Sequence, residues 1–339
     1  METSETGSSP QRNRQQREVN MKRTIFVAAI ATLAAGSALA QSSVTVYGRL
    51  NVTAERFTAN KQTTYLLNNN ASRIGFKGVE DLGGGLQASF LMESGFSPDT
   101  GAASATFWGR ESWVAIGGAF GKVRLGNMGR TNAYFTTADY ISMHNHDTGT
   151  SEDKLYLYPG RATNMIAYTS PSLSGLVVDA QLSLSETSQA GRTYVLTANY
   201  DQGPLHLGGS YLQAGAGRPG AKEKEYGLRA LYELGDFTVG AYYIRNDNVF
   251  GNNGWKRNAV RVSAMYTMGP GELHVNVGKA YAIKGNAITG DDALQATVGY
   301  NYNLSKRTKV YTYYTRVTDD ARLYTGKYGT LAAGIRHNF

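Results

Sequence analysis

The feature that most constrains this chain is an alternation of apolar and polar residues at period two, repeated along most of its length. Val44, Val46, Gly48, Leu50, Val52 and Ala54 fall on one face, and Thr45, Tyr47, Arg49, Asn51, Thr53 and Glu55 fall on the other. Successive side chains of a β-strand point to opposite sides, so the pattern describes a strand with one apolar and one polar surface. It returns around Leu86–Met92, Leu176–Leu184, Tyr194–Tyr200, Tyr226–Tyr232, Val260–Tyr266 and Leu294–Tyr302. After residue 40 no segment approaches the roughly 18 consecutive apolar residues of a membrane-crossing helix. The chain is therefore expected to be all-β.

The connections carry the next constraint. Seven are tight, beginning at Glu80, Ala119, Ser170, Asp201, Leu234, Met268 and Leu304, and they alternate with longer polar stretches such as 58–70, 96–107, 247–256 and 282–292. Seven short turns and eight long loops join sixteen strands. An even strand count with short turns at one rim and long loops at the other is the pattern of an antiparallel barrel that crosses an outer membrane, with the short turns periplasmic and the long loops extracellular. Lipid offers no hydrogen-bond partners, so only a closed sheet satisfies every backbone N–H and C=O there. The apolar faces must then point outward. Arg49 or Arg261 turned toward lipid would cost about 2 to 4 kcal/mol each near the midplane, whereas a water-filled interior accepts both. Tyr168, Tyr200, Tyr232, Tyr266 and Tyr302 lie at strand ends beside short turns on the apolar face, where a girdle of amphipathic rings belongs. Ordinary β-propensity would also enrich tyrosine, without favouring those positions.

Residues 1–20 are polar and precede a second methionine, and they read as an extension outside the fold. Residues 21–40 open with Lys22 and Arg23, continue as an apolar run and end in Ala38, Leu39 and Ala40, the order of a cleaved secretory signal peptide. The barrel is then expected over 41–339. That stretch holds 29 basic and 23 acidic residues, an excess of six. The two signs are interleaved rather than clustered, which argues against a nucleic-acid partner. The chain has no cysteine and five histidines, so a disulfide scaffold and a thiolate metal site are excluded, and no cofactor or metal is expected. His144 and His146 form a His-x-His pair without an evident third ligand. His206 and His274 fall on polar strand faces, and His337 shares a face with Ile335 and Phe339.

Several stretches together resemble the general porins of the Gram-negative outer membrane, of the beta-proteobacterial kind. They are VTVYGRL from Val44, SRIGFKGVEDLGGGLQASFLMESGF from Ser72 to Phe96, FGKVRLGN from Phe120, NMIAYTSP from Asn164, YNLSKRTKVY from Tyr302, and the terminal GIRHNF. The resemblance covers the whole of 41–339. It implies a homotrimer of sixteen-stranded barrels in the outer membrane, each with its own channel for ions and small hydrophilic solutes. It implies contact with membrane lipid and lipopolysaccharide, and it matches Phe339 to the terminal aromatic residue through which the insertion machinery recognises its clients. Two positions depart from the pattern. Asn127 stands where an arginine is common, and Asn51 where an aspartate is common.

The stretch from Gly129 to about Tyr158 is the longest between two strands, and loops of this length in a compact protein are usually functional. The resemblance implies that it folds into the barrel and narrows it. Its charges include Asp139, Asp147, Glu152 and Asp153, and they would oppose a basic wall of Arg49, Arg73, Lys77, Arg110, Arg124 and Arg161, with Glu93 nearby. The face of Arg110 is ambiguous, and each arginine would be equally at home in the lumen away from a constriction. Fixed charges at a narrowing select among ions, so the expected function is passive diffusion with a preference for anions. Two alternatives stay open: an outer-membrane barrel hydrolase and a secreted adhesin. No histidine stands in an arrangement that suggests a positioned base.

Overall fold

Eighteen strands form one antiparallel sheet in this computed structural model, which describes residues 43–128, 132–141, 151–157, 163–184, 191–215, 221–285, 292–319 and 326–339. In chain order they are β1 (Ser43–Ala59), β2 (Gln62–Asn69), β3 (Arg73–Gly83), β4 (Leu86–Ser97), β5 (Ala102–Ala103), β6 (Glu111–Gly118), β7 (Gly121–Asn127), β8 (Met165–Thr169), β9 (Leu176–Ser183) and β10 (Tyr194–Gln202). They continue as β11 (Leu205–Ala214), β12 (Glu223–Leu234), β13 (Phe237–Asp247), β14 (Lys256–Met268), β15 (Gly271–Ala280), β16 (Ala293–Asn303), β17 (Thr308–Thr318) and β18 (Tyr328–Asn338). β5 pairs only with the end of β4. β2 and β3 both lie along β1, against its upper and lower halves, as one strand broken at residues 70–72. Discounting these two gives sixteen staves.

β1 closes the sheet against β18, with Arg49 opposite Asn338 and Ala59 opposite Tyr328. The terminal Phe339 extends this seam, exchanging backbone hydrogen bonds of 3.1 Å in both directions with Gly48. Gly48 is required there, because a Cβ would lie 2.4 Å from the Phe339 ring. Residues 1–42, including the expected leader, lie outside the described residues.

Burial runs opposite to that of a soluble protein. Val262 is 60% exposed while its chain neighbour Arg261 is fully buried, and the same alternation holds along β12, β15 and β16. The apolar positions form the outer surface and the polar ones face the interior, as lipid outside and water inside demand. The five expected girdle tyrosines lie on outward positions, with Tyr266 stacked on Phe237 at 4.5 Å.

The seven tight turns occur where the sequence places them. The stretch 58–70, expected to be a long loop, is instead a tall hairpin. Asn60 and Lys61 adopt positive φ of 50° and 65°, the left-handed pair that lets a two-residue turn match the twist of its strands, and β2 descends directly from it. The expected loop 96–107 contains the short β5.

Hydrophobic packing also occurs inside the barrel. Between β7 and β8 the chain turns inward through a single α-turn (Asn132–Tyr134) and a π-helical turn (Phe135–Asp139). Tyr134, Ala138, Ile141 and Tyr156 of this loop pack on Leu231, Tyr242 and Ile244 of β12 and β13. Leu155 packs on Ala259, Ala280 and Ala293 of β14 to β16. The loop therefore lies against the inner wall, as the resemblance implied.

Candidate functional site

A basic group occupies the inner face of the first staves. Arg49 on β1, Arg73 and Lys77 on β3, and Arg110, just before β6, all project inward with Glu93 of β4 among them. The Arg110 Nε donates to Glu93 Oε1 at 2.5 Å, and Arg73 Nε lies 3.7 Å from Glu93 Oε2. The Tyr47 hydroxyl donates to the same carboxylate at 2.9 Å. Lys77 Nζ stands 5.2 Å from the centre of the Tyr47 ring, and Arg49 Nε donates to Asn338 Oδ1 at 3.3 Å. Glu111 begins β6 on the same face and accepts from Trp113 Nε1 at 2.8 Å. Four cations thus gather around two carboxylates, an excess of two positive charges on one sector of wall. The inward turn of Arg110 resolves its ambiguous parity, since it precedes the strand and is aimed by Glu93 rather than by the pleat.

Arg124 on β7 stands apart from this group. Its Nη2 lies 2.5 Å from Asp179 Oδ2 on β9, and its guanidinium lies 5.9 Å from the Trp113 ring. Its charge is neutralised locally. Arg161 and Asp147 lie outside the described residues, as do Arg130, His144 and His146.

The inward loop faces the basic group across the barrel and is fastened by two arginine clamps. At the first, Arg229 of β12 donates from Nε to the Thr136 carbonyl at 2.6 Å and from Nη2 to Asn199 Oδ1 at 3.0 Å. Its guanidinium lies 3.3 Å from the centre of the Tyr140 ring. The Tyr140 hydroxyl meets Asp201 Oδ1 and His206 Nδ1, both at 2.9 Å. Burial, with the Asp201 hydrogen bond adding to it, pushes the Tyr140 hydroxyl up to about 12. The loop can approach this closely because the wall lacks side chains beneath it. A Cβ on Gly227 would lie 2.5 Å from Thr137 Cγ2, and one on Gly240 would lie 2.9 Å from Ile141 Cδ1.

At the second clamp, Asp153 and Arg261 of β14 form a fully buried ion pair at 2.8 Å. Asp153 Oδ2 accepts from the Tyr242 hydroxyl, and Oδ1 accepts from the Leu155 N–H at 3.0 Å. Arg261 also donates to Asn276 Oδ1 at 2.5 Å and Gln295 Oε1 at 2.9 Å. Gln295 accepts from the Lys154 N–H at 3.0 Å and donates to the Glu152 carbonyl at 2.8 Å. Arg257 reaches the Leu155 carbonyl, and Tyr156 donates to Glu225 Oε1 at 2.7 Å. Asp153 is therefore an anchor and carries no charge exposed to the lumen. Glu152 is more exposed and pairs with Lys154, while Asp139 ends the π-helical turn half-buried.

Below the first clamp, toward the short-turn rim, lies a cavity of about 860 Å³ whose lining includes Trp113, Lys122, Arg124, Tyr140, Asp179 and Arg229. The reading from sequence overlooked Arg229, Arg257 and Tyr242 as loop anchors. Inward parity on neighbouring strands, together with inward glycines such as Gly227 and Gly240, is the signal that could have found them.

Asn51 has a structural reason to be an amide. Its Nδ2 donates to the Asn70 carbonyl at 3.2 Å, and its Oδ1 accepts from Tyr311 at 2.6 Å. An aspartate could not make the first bond at the break between β2 and β3. Asn127 donates weakly to the carbonyls of Trp108 and Gly109, both at 3.4 Å. No group of three or more metal-binding side chains exists among the described residues.

Comparison with known proteins agrees with this architecture. Residues 27–322 match the family described as Gram-negative porin. Outer membrane porin protein 32 of Delftia acidovorans is 31% identical over 319 residues, covering 86% of this chain and 88% of that protein. The major outer membrane protein P.IB of Neisseria meningitidis is 27% identical, covering 82% and 88%. Among solved structures, the anion-selective porin from Comamonas acidovorans aligns with a TM-score of 0.71 at 26% identity, covering 88% of this chain and all of that one. OmpT of Vibrio cholerae in its trimer form aligns with a TM-score of 0.68 at 17% identity, covering 88% and 99%, a likeness of fold alone.

Proposed function

This chain belongs to the Gram-negative porin family, and from that premise we propose that its channel favours anions because the basic group on β1, β3 and the segment just before β6 faces an inward loop whose described acids are largely neutralised. It is a passive channel of the outer membrane. The observation that carries the proposal is the sharing of Glu93 by Arg73 and Arg110, with Arg49 and Lys77 beside them. Against four cations the described loop offers Asp153, spent on Arg261, Glu152, paired with Lys154, and Asp139, half-buried at the end of the π-helical turn. A water-excluding wall focuses such a field into the lumen. Likeness to an anion-selective porin supports the same sign.

Arg49, Arg73, Lys77 and Arg110 set the selectivity in this reading, and Arg124 contributes little because Asp179 holds it. Solutes pass by diffusion without a covalent step or cofactor. The likeness to a trimeric porin supports a homotrimer, which crosslinking in membranes would test by the presence or absence of a three-chain species. Residues 21–40 act as a leader, to be checked by the N-terminus of the exported protein. Phe339 acts as the insertion signal, and replacing it by serine should lower the yield of folded barrel; an unchanged yield would refute that role.

The deciding experiment is the zero-current potential across a planar bilayer under a KCl gradient. An anion-favouring potential that collapses or reverses in Arg73→Glu is the expected result. A cation-favouring potential in the unaltered protein would overturn the assignment of the basic group.

A further inference from the structure

We propose that a single-ring aromatic carboxylate, of the benzoate class, binds in the cavity beneath the inward loop, with its carboxylate between Lys122 and Arg124 and its ring against Trp113. The site lies on β6 and β7, on the short-turn side of the loop. None of the cations assigned to selectivity takes part in it.

The register builds the platform. Trp113 of β6 shares a rung with Gly126 of β7 and, beyond it, Met165 of β8. Gly126 presents no side chain, and the indole packs against Met165 and Ala167. Its Nε1 donates to Glu111 Oε2 at 2.8 Å. The ring is thus held at one edge and along one side, yet it stays only half-buried and lines the cavity of about 860 Å³. An aromatic surface already fixed in this way loses little rotamer freedom when a second ring settles on it.

Two cations occupy the successive rungs toward the rim. Arg124 is opposite Ala115, and Lys122 is opposite Gly117. Lys122 Nζ lies 6.0 Å and the Arg124 guanidinium 5.9 Å from the centre of the Trp113 ring, at the outer limit of a cation–π contact. Arg229 shows the closed alternative, stacked 3.3 Å from the centre of the Tyr140 ring. Neither cation covers Trp113 in that way. Arg124 gives Nη2 to Asp179 and Thr169 and leaves Nε without an acceptor. Lys122 is exposed and has no carboxylate partner among the described residues. A ligand carboxylate between the two supplies a charge-assisted acceptor to both.

The charge of the lining sets the charge of the ligand. Lys122, Arg124 and Arg229 stand against Asp179 and Asp201, an excess of one positive charge. One negative charge completes that balance, whereas a dianion would leave its second charge facing the aspartates. Phe135, on the loop, is 37% exposed and lines the same cavity. Exposed aromatic surface in a wet lumen gives nothing to an inorganic ion and rewards a ligand that carries a ring. The cavity is much larger than such a ligand, so occupancy hinders passage without closing the channel.

The inference rests on the channel reading only for access to the cavity, and binding is measured without conduction. Purified folded protein in detergent is titrated with benzoate and with cyclohexanecarboxylate, which has the same charge and no aromatic ring, and affinity is read by saturation-transfer NMR. Benzoate should bind about five-fold more tightly than cyclohexanecarboxylate, the range of an aromatic pair. Trp113→Leu should abolish that preference, and Lys122→Gln should weaken benzoate binding about five-fold, as for the loss of one exposed charge contact. Because Lys122 is exposed, its variant keeps the test decisive even if Trp113→Leu folds poorly. Arg73→Gln should lower the anion preference of the channel and leave benzoate affinity unchanged, which separates this site from the basic group around Glu93. Equal affinity for the two acids, or benzoate affinity unaltered in Lys122→Gln, would overturn the proposal. Protein that binds benzoate but does not conduct would strike the channel reading alone, and protein that conducts but binds no benzoate would strike this site alone.

Discussion

Substituting Asp153 by asparagine should release the inward loop while leaving the barrel folded. The carboxylate lies 2.8 Å from Arg261, and neither side chain has exposed surface. At that separation and an effective dielectric constant of about 20, the attraction amounts to roughly 6 kcal/mol. Desolvation offsets part of it, and breaking one side of a buried pair typically costs about 3 to 5 kcal/mol because the remaining charge has no counter-ion. Asn276 and Gln295 still accept from Arg261 in the variant, which sets the expectation near the lower value. The loss falls on docking of residues 151–157, since the strands keep their own hydrogen bonds. Single-channel recording is the assay. Asp153→Asn should give a larger, noisier conductance, with openings interrupted as the loop leaves the wall. Arg261→Met should do the same, whereas the double variant Asp153→Asn/Arg261→Met should lie closer to the unaltered channel, because no unpaired charge remains. If each single variant shifts docking by less than about 1 kcal/mol, the range of an exposed pair, or if the two effects simply add, the clamp is not what holds the loop.

Two further outcomes follow from the other clamp. Gly227→Val places a Cβ 2.5 Å from Thr137 and 2.4 Å from Ser210 Oγ, so the loop must lift at a cost of about 1 to 3 kcal/mol; channel noise should rise, and an unchanged trace would show that the loop has slack there. The Tyr140 hydroxyl, raised to about 12 by burial and by Asp201, contributes its docking bond fully below the ordinary tyrosine value near 10 and loses it as pH climbs through the folded value. Conductance should therefore be insensitive to this group below about pH 10 and should change between about 10 and 12, a change absent in Tyr140→Phe. A Tyr140→Phe channel with the same alkaline transition would refute that assignment.

The sixteen staves, their faces and the seven tight turns were legible in the chain because each is a local property. Side-chain alternation at period two and the turn chemistry of residues such as Gly84, Gly203 and Gly269 need no distant partner. The tall first hairpin was not legible as such. Its Asn60–Lys61 turn hides in a polar stretch, and only the register of β1 with β2 shows that both strands continue above the membrane. Of the expected basic wall, Arg73 and Arg110 come together through Glu93, with Arg49 on the same inner face bonded to Asn338, while Arg124 is drawn away by Asp179, a partner 55 positions along the chain.

Which residues face lipid and which face water was determined by the sequence alone, since a closed sheet in lipid admits only one sorting of an alternating strand. What each inward charge does was decided by the tertiary structure. Asp153 and Glu152 are neighbours in the chain, yet one is buried against Arg261 and the other pairs with Lys154 nearer the lumen. Ion pairs act over a few ångströms between strands far apart in sequence, and only the closed barrel sets those distances.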